Sequence, residues 1–355
     1  MIYVHIPFCK SFCTYCGFYS IIPGKCASRR YGQYAKRVGR EARLRDPEIR
    51  ATLGVNTLYI GGGTPSVLPL SALSTILQAL PYGPYEEFTL EANPEDVCLG
   101  GPEYLRGLAS LGVNRLSMGF QSFDEGILRW MGRRHSAAQS AEAFSLAREA
   151  GFGNISIDLI FGISSLSPSL WDETLEKALE MRPEHISAYQ LSIEEGSTLE
   201  RMCGRGQYEP LPEEQCRAQY DRLCEVLSGA GYHHYEVSNF ALPGYEAVHN
   251  SAYWRRVPYV GLGAAAHSFD GRRRRWNSSD DSGYISECEV ITPEDERVET
   301  IMLSLRMDRG IEASYIEGPA ALRLEEEGAL VRTGGRLRIP EDRMFVSDEI
   351  IRELI

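Results

Sequence analysis

The chain has 355 residues, 43% of them hydrophobic, and a formal net charge of −12 at neutral pH. That length favours one large domain with a smaller appendage, and the acidic balance excludes a general affinity for nucleic-acid backbone or anionic lipid. No stretch approaches the about 18 consecutive apolar residues of a membrane span, the first residues read as a strand rather than a signal peptide, and nine cysteines without a secretory segment predict free thiols and metal ligands in a reducing compartment, the cytoplasm.

The apolar run 2–6 predicts a first strand, and the loop behind it carries Cys9, Cys13 and Cys16 at C-x3-C-x2-C spacing. Three thiolates can hold three irons of a 4Fe-4S cube and leave the fourth iron open, whereas ordinary electron-transfer clusters use four cysteines. The rival reading is a structural zinc site, for which His5 is the only further ligand close by. A second strand, 57–60, runs into Gly61-Gly62-Gly63-Thr64-Pro65, where missing Cβ atoms let the backbone approach a ligand. A plain strand-to-helix turn would use the same residues.

Further strands are predicted over 88–92, 115–119, 155–161 and 185–191, with helices over 138–150, which stops at Gly151, and 171–181, which stops before Pro183. Polar residues close or follow the strands: Glu91, Gln121, Asp158 and, in Met131-Gly-Arg-Arg-His, Arg133. Each is costly there unless it faces a ligand or is satisfied at a barrel rim, and the two readings weigh about evenly for any one of them. Six strands alternating with helices describe a parallel sheet with helices outside, and candidate ligands at strand carboxyl ends match the placement in (β/α) barrels.

After a helix over 212–231 the pattern becomes irregular. Cys216 and Cys224 share a helical face with Tyr220, Leu223 and Leu227 and read as small core residues. Cys26, Cys98, Cys203 and Cys288 stand outside any ligand spacing. His233-His234 reads as packing more readily than as a metal pair. His249-Asn250 with Tyr253-Trp254 sets one imidazole beside two aromatic faces, the combination haem needs, although a histidine packed under a loop is the simpler reading of the residues alone. The run Arg272 to Arg275 reads as a solvated loop. A helix over 294–306, strands around Ala329-Leu-Val and Leu337-Arg-Ile about the turn Thr333-Gly-Gly, and a helix over 347–354 predict a small α+β domain of winged-helix character packed on the barrel. The expected division is 1–232, a connecting segment 233–290, and 291–355.

Taken together, residues 3–16, the Gly61–Gly63 loop and the strand-end contexts of Glu91, Gln121, Arg133 and Asp158 resemble the radical S-adenosylmethionine (SAM) superfamily. Tyr235-Glu-Val-Ser-Asn-Phe and His249-Asn-Ser-Ala-Tyr-Trp resemble its branch of oxygen-independent coproporphyrinogen III oxidases and haem chaperones. The resemblance implies a partial (β/α)6 barrel and a 4Fe-4S cluster on Cys9, Cys13 and Cys16. It also implies SAM on the open iron beside Tyr3, Tyr15, Gly62, Gly63, Thr64 and Glu91, a second SAM near Gln121, Arg133 and Asp158 in the oxidase branch, and haem at His249, which reverses the simpler reading of that residue.

Phe18 stands where the oxidases carry a fourth cysteine, and the chain begins two residues before Tyr3, without their N-terminal cover. Both departures point to the haem-chaperone side. Ala265 stands where the family usually has glycine. The implied partners are haem, respiratory haem-acceptor proteins and an electron donor such as a flavodoxin or ferredoxin, with membrane contact only through acceptors, a homodimer left open, and no nucleic acid. The alternative is a radical enzyme in which reductive cleavage of SAM yields a 5′-deoxyadenosyl radical that abstracts hydrogen from a porphyrinogen, the cofactor carrying the chemistry.

Overall fold

The computed structural model describes residues 1–279 and 286–355, so residues 280–285 of the expected connecting segment lie outside the described residues. Six strands run parallel and pair in chain order: β1 (Ile2–Ile6), β2 (Thr57–Gly62), β3 (Glu87–Ala92), β4 (Arg115–Gln121), β5 (Ile155–Phe161) and β6 (His185–Gln190). Alternation within each strand decides what faces where. Ile2, Val4 and Ile6, then Leu58 and Ile60, Phe88 and Leu90, Leu116 and Met118 are fully or almost fully buried, as expected of the face that helices cover. The residues of opposite phase are polar and meet one another across strands: Tyr59 with Glu91, Arg115 with Thr89, Ser117 with Asp158, Ser156 with His185. The sheet therefore curls around a polar interior.

Three strands extend it. The antiparallel pair β7 (His233–Glu236) and β8 (Asn239–Ala241) joins β6, and β9 (Val260–Leu262) lies parallel to β1, giving the order β7-β8-β6-β5-β4-β3-β2-β1-β9. The barrel is partial, with β7 and β9 as its edges among the described residues. The expected helices are present with better-defined ends. The helix Ala137–Glu149 starts from a capping box of Ser136 and Gln139, and Pro168–Met181 starts earlier than its hydrophobic pattern because Ser167 caps it and Pro168 takes its first turn.

A second sheet holds β10 (His267–Phe269), β11 (Arg273–Asn277) and β12 (Ser286–Val290). The arginine run expected to be a solvated loop is thus largely strand β11. Two of its cations are paired, Arg274 with Glu289 and Glu299 and Arg275 with Glu48, so opposite charges on neighbouring elements help hold it in the ladder.

The remaining chain forms the helix Pro293–Leu305, β13 (Ile311–Glu312), the helix Pro319–Glu326, the hairpin β14 (Val331–Thr333) with β15 (Arg336–Arg338), and the helix Ser347–Arg352. The middle helix adds to the expected pattern and completes a winged-helix-like arrangement of three helices with a three-stranded sheet. Phe345 packs on Tyr220, and the Val237 N–H donates to the Arg306 carbonyl at 2.9 Å, so this unit sits against the barrel. No helix among the described residues is long and apolar enough to cross a membrane.

Candidate cluster and cofactor site

The cysteine loop leaves β1 at the carboxyl end of the sheet and is tied at both sides. Cys9 N–H donates to Ile21 O at 3.0 Å and Ile21 N–H to Pro7 O at 2.6 Å, Lys10 Nζ reaches Asp96 at 2.6 Å, and Thr14 holds the Met131 and Trp130 carbonyls through its N–H and hydroxyl at 2.9 and 2.7 Å. Between these ties the three cysteines form no disulfide and are partly accessible. Burial pushes the Cys9 thiol up and the Cys16 thiol up to about 11, with neighbouring cysteines adding to both shifts. A bound cation would displace those protons, which is how thiolate sites couple metal binding to proton release.

His5 is not a fourth ligand in this arrangement. Its Nδ1 lies 3.0 Å from the Tyr3 hydroxyl and its Nε2 3.0 Å from the Tyr19 carbonyl. A carbonyl only accepts, so Nε2 carries the proton and Nδ1 accepts from Tyr3. Three thiols without a closing imidazole fit an open cluster and not a closed zinc site.

The glycine loop crosses directly over this set. Gly63 N–H donates to Ile6 O at 2.7 Å, and a Cβ on Gly63 would come within 3.0 Å of Cys9 Sγ, while Gly62, at φ +114°, would drive a Cβ to 2.6 Å from the His5 ring. Thr64 Oγ1 lies 3.4 Å from Cys9 Sγ. Glu91 closes the far side of the loop, accepting from Tyr59 OH at 2.8 Å and Gly62 N–H at 3.0 Å. Burial dominates its acidity and raises the carboxyl to about 7, and nearby Asp158 adds to the rise. Asp158, likewise raised by burial, to about 6, is held by Ser117 and Ser187 and faces Arg115 and Arg133.

Arg133 links the two halves. Its guanidinium donates to Gly119 O at 2.6 Å and to Cys13 Sγ at 3.5 Å, yet its buried Nε has no partner. A guanidinium left short of one acceptor inside a polar cavity marks a place for a ligand. Tyr15 lies against Arg133 and Cys13, with burial raising its hydroxyl. Gln121 follows a bulge between β4 and β5 and adopts φ +69°, a costly conformation for a residue with a Cβ. That strain sits beside Gly119, on whose missing Cβ the Gln121 amide and Arg133 guanidinium close in.

The radical SAM superfamily model matches residues 3–178. The chain is 33% identical to the heme chaperone HemW of Synechocystis sp., over 87% of this chain and 78% of that one, and 32% identical to the heme chaperone HemW of Bacillus subtilis, over 87% and 84%. The chain belongs to the radical SAM superfamily, in its HemW branch. The solved coproporphyrinogen III oxidase (HemN) of Escherichia coli has the same fold, with a TM-score of 0.80 over 99% of this chain and 89% of that one at 21% identity. Membership implies a 4Fe-4S cluster and SAM. The donor set fits both: three accessible thiols for the cluster, and a glycine cradle, a carboxyl and an under-partnered guanidinium beside them.

His249 lies elsewhere. It sits in the helix Val248–Trp254 at the amino ends of the strands, fully buried, with Nδ1 2.8 Å from Thr57 Oγ1 and Nε2 3.0 Å from Tyr253 OH. Glu87, the first residue of β3, accepts from the Val248 and His249 N–H groups at 2.7 and 3.0 Å. Burial lowers the imidazole to about 3, so it is neutral. The structure brings the cysteines, the glycine loop, Tyr3, Tyr15, Glu91, Gln121, Arg133 and Asp158 together and sets His249 apart from them.

Tyr59 connects the two places, and the residues alone did not single it out. Its hydroxyl bonds Glu91 while its ring lies 5.2 Å from that of His249. The signal was available: in every barrel strand the interior phase carries the polar residues, and Tyr59, Arg115 and Ser117 are in phase with Glu91 and Asp158.

Proposed function

We propose that this protein is a haem chaperone that binds haem, carries a 4Fe-4S cluster with SAM, and passes haem to haemoproteins. The observation that carries this reading is the one-third identity to HemW proteins over most of both chains. Phe18, exposed beside the cluster loop at the position of the oxidases' fourth cysteine, supports it over the oxidase reading. Cys9, Cys13 and Cys16 are proposed to hold the cluster. Tyr3, Tyr15, Gly62, Gly63, Thr64 and Glu91 are proposed to flank SAM, and Gln121, Arg133 and Asp158 to line the rest of the same cavity. Haem is proposed to bind at residues 249–254, where His249 would be the residue to hold it.

In this reading the chain divides into a barrel over 1–232, a segment 233–290 that supplies β7, β8 and β9 to the barrel sheet, and a small unit over 291–355. Its acceptors are respiratory haemoproteins and its reductant a flavodoxin or ferredoxin in the cytoplasm. The deciding experiment uses one anaerobically reconstituted sample for haem titration and for coproporphyrinogen III turnover with SAM and reductant. Stoichiometric haem uptake without decarboxylation is expected. Sustained decarboxylation would return the chain to the oxidases.

A further inference from the structure

Away from the cysteine loop, one set of side chains has no part in the proposed function. Cys224 on the helix Glu213–Gly229, His234 on β7 and Glu341 at the start of the turn Glu341–Val346 each offer one ligand atom, and the three atoms lie within 4.8 Å of one another. Cys224 Sγ is 3.9 Å and Glu341 Oε1 3.4 Å from the same atom, His234 Nδ1. Tetrahedral zinc bonds of about 2.0–2.3 Å require ligand-to-ligand edges of about 3.3–3.7 Å, close to this spacing.

The placement of partners around the imidazole decides between a metal and a nucleophile. In a Cys–His–acid relay the acid holds the imidazole nitrogen that the thiol does not use. Here thiol and carboxylate converge on one nitrogen, and the other, Nε2, faces Tyr220 OH at 3.3 Å and the Val237 carbonyl at 3.5 Å. Nδ1 thus faces both the thiol and the carboxylate while Nε2 is held from behind by Tyr220 OH and the Val237 carbonyl, the orientation that outer partners impose on metal-binding histidines. The ring is clamped as well, stacked on Phe240 at 4.2 Å between centroids with 11° between planes, and its side chain is 4% exposed.

We infer that Cys224, His234 and Glu341 form a binding site for a divalent cation of the zinc type, with thiolate, imidazole and carboxylate as ligands. Cys224 and Glu341 also line an open groove of about 650 Å³, so water reaches the site. The three ligands come from a barrel helix, a barrel edge strand and the C-terminal unit, so the ion pins that unit to the barrel.

The test is zinc retention by full-length, cluster-reconstituted protein after anaerobic dialysis against micromolar zinc chloride, with iron measured in the same sample. About one zinc per chain is expected in the wild type, less than a tenth of that in C224S, and at least about tenfold weaker binding in E341Q, with iron unchanged in both. Glu341 is half exposed, so E341Q tests the site even where C224S does not fold. A parallel cobalt titration of full-length protein with Cys9, Cys13 and Cys16 all changed to alanine reads the thiolate-to-metal absorption band, which C224S removes. Wild-type zinc content in C224S and E341Q, or no retained zinc in the wild type, overturns the inference.

Discussion

The two ends of the barrel use the same kinds of residue and differ in where backbone strain and raised carboxyls collect. At the amino end, His249 has both ring nitrogens engaged and Glu87 accepts two backbone N–H groups through its two oxygens. At the carboxyl end, Arg133 Nε has no partner, Gln121 sits at positive φ, and Glu91 and Asp158 carry carboxyls raised to about 7 and about 6 by burial. The amino end is not wholly satisfied either, since the buried Arg115 Nε has no partner, so it is the strain at Gln121 and the raised carboxyls beside three thiols that set the carboxyl end apart. Strain, raised carboxyls and an under-partnered guanidinium gathered beside three thiols are what a cavity built for a ligand looks like.

The strongest way to break that contrast is to remove a thiol. Cys9→Ala, Cys13→Ala and Cys16→Ala should each reduce iron after anaerobic reconstitution from about four per chain to near zero and abolish the brown chromophore. Retained iron in any of the three would mean that the loop does not ligate the cluster. Adding SAM to reduced wild-type protein should alter the cluster's EPR spectrum, and an unchanged spectrum at saturation would remove SAM from the open iron.

Glu91 sharpens the contrast because binding and stability should respond in opposite directions. Its carboxyl is raised from the ordinary 4.5 to about 7, so the folded chain holds this proton where the unfolded chain has lost it. Stability from this group therefore falls as pH rises from about 4.5 to about 7, by up to about 3 kcal/mol. Glu91→Gln keeps an acceptor for Gly62 N–H and removes the charge, so it should flatten that limb in urea melts at pH 5 and pH 8 while weakening SAM at least about tenfold. A variant that is neither flatter in pH nor weaker for SAM would make Glu91 an ordinary rim carboxyl.

His249 tests the other end. If the imidazole ligates haem iron, His249→Ala should weaken haem binding at least about tenfold, and Tyr253→Phe, which frees Nε2, should strengthen it by a few-fold. Packing alone predicts loss of stability in both variants and no opposite signs. Haem titrations of the two variants beside their thermal melts separate the outcomes.

Much of the carboxyl end was legible in the sequence. Cysteine spacing, the glycine run and polar residues closing apolar strands are local signals, and each is read without knowing which strands touch. The amino end was not legible in this way. The pairing of His249 with Thr57 spans 192 residues, and β8 joins β6 antiparallel after a long excursion, so nothing local announces that residues 233–262 extend the barrel sheet. Cys224 and His234 were read as packing for the same reason, since their third partner, Glu341, arrives from the last part of the chain.

The smallest expected effect falls where sequence and backbone disagree most plainly. Ala265 occupies a position where the family usually has glycine, and the backbone there is left-handed, with φ +56°. It cannot relax, because Ala265 N–H donates to Ser278 O at 3.0 Å and Ala266 N–H to Gly263 O at 3.3 Å, while Gly263 N–H is held by Glu41 at 2.8 Å. A Cβ in this region costs roughly 1–2 kcal/mol, and glycine's extra freedom in the unfolded chain offsets roughly 0.4–1 kcal/mol of what its removal recovers. Ala265→Gly should therefore stabilise the protein by roughly 0.5–1 kcal/mol, seen as a higher urea midpoint at unchanged slope, with iron and haem binding unaltered because the loop touches neither the cysteines nor His249. A lower midpoint would mean that the Ala265 methyl contributes packing worth more than the strain it brings.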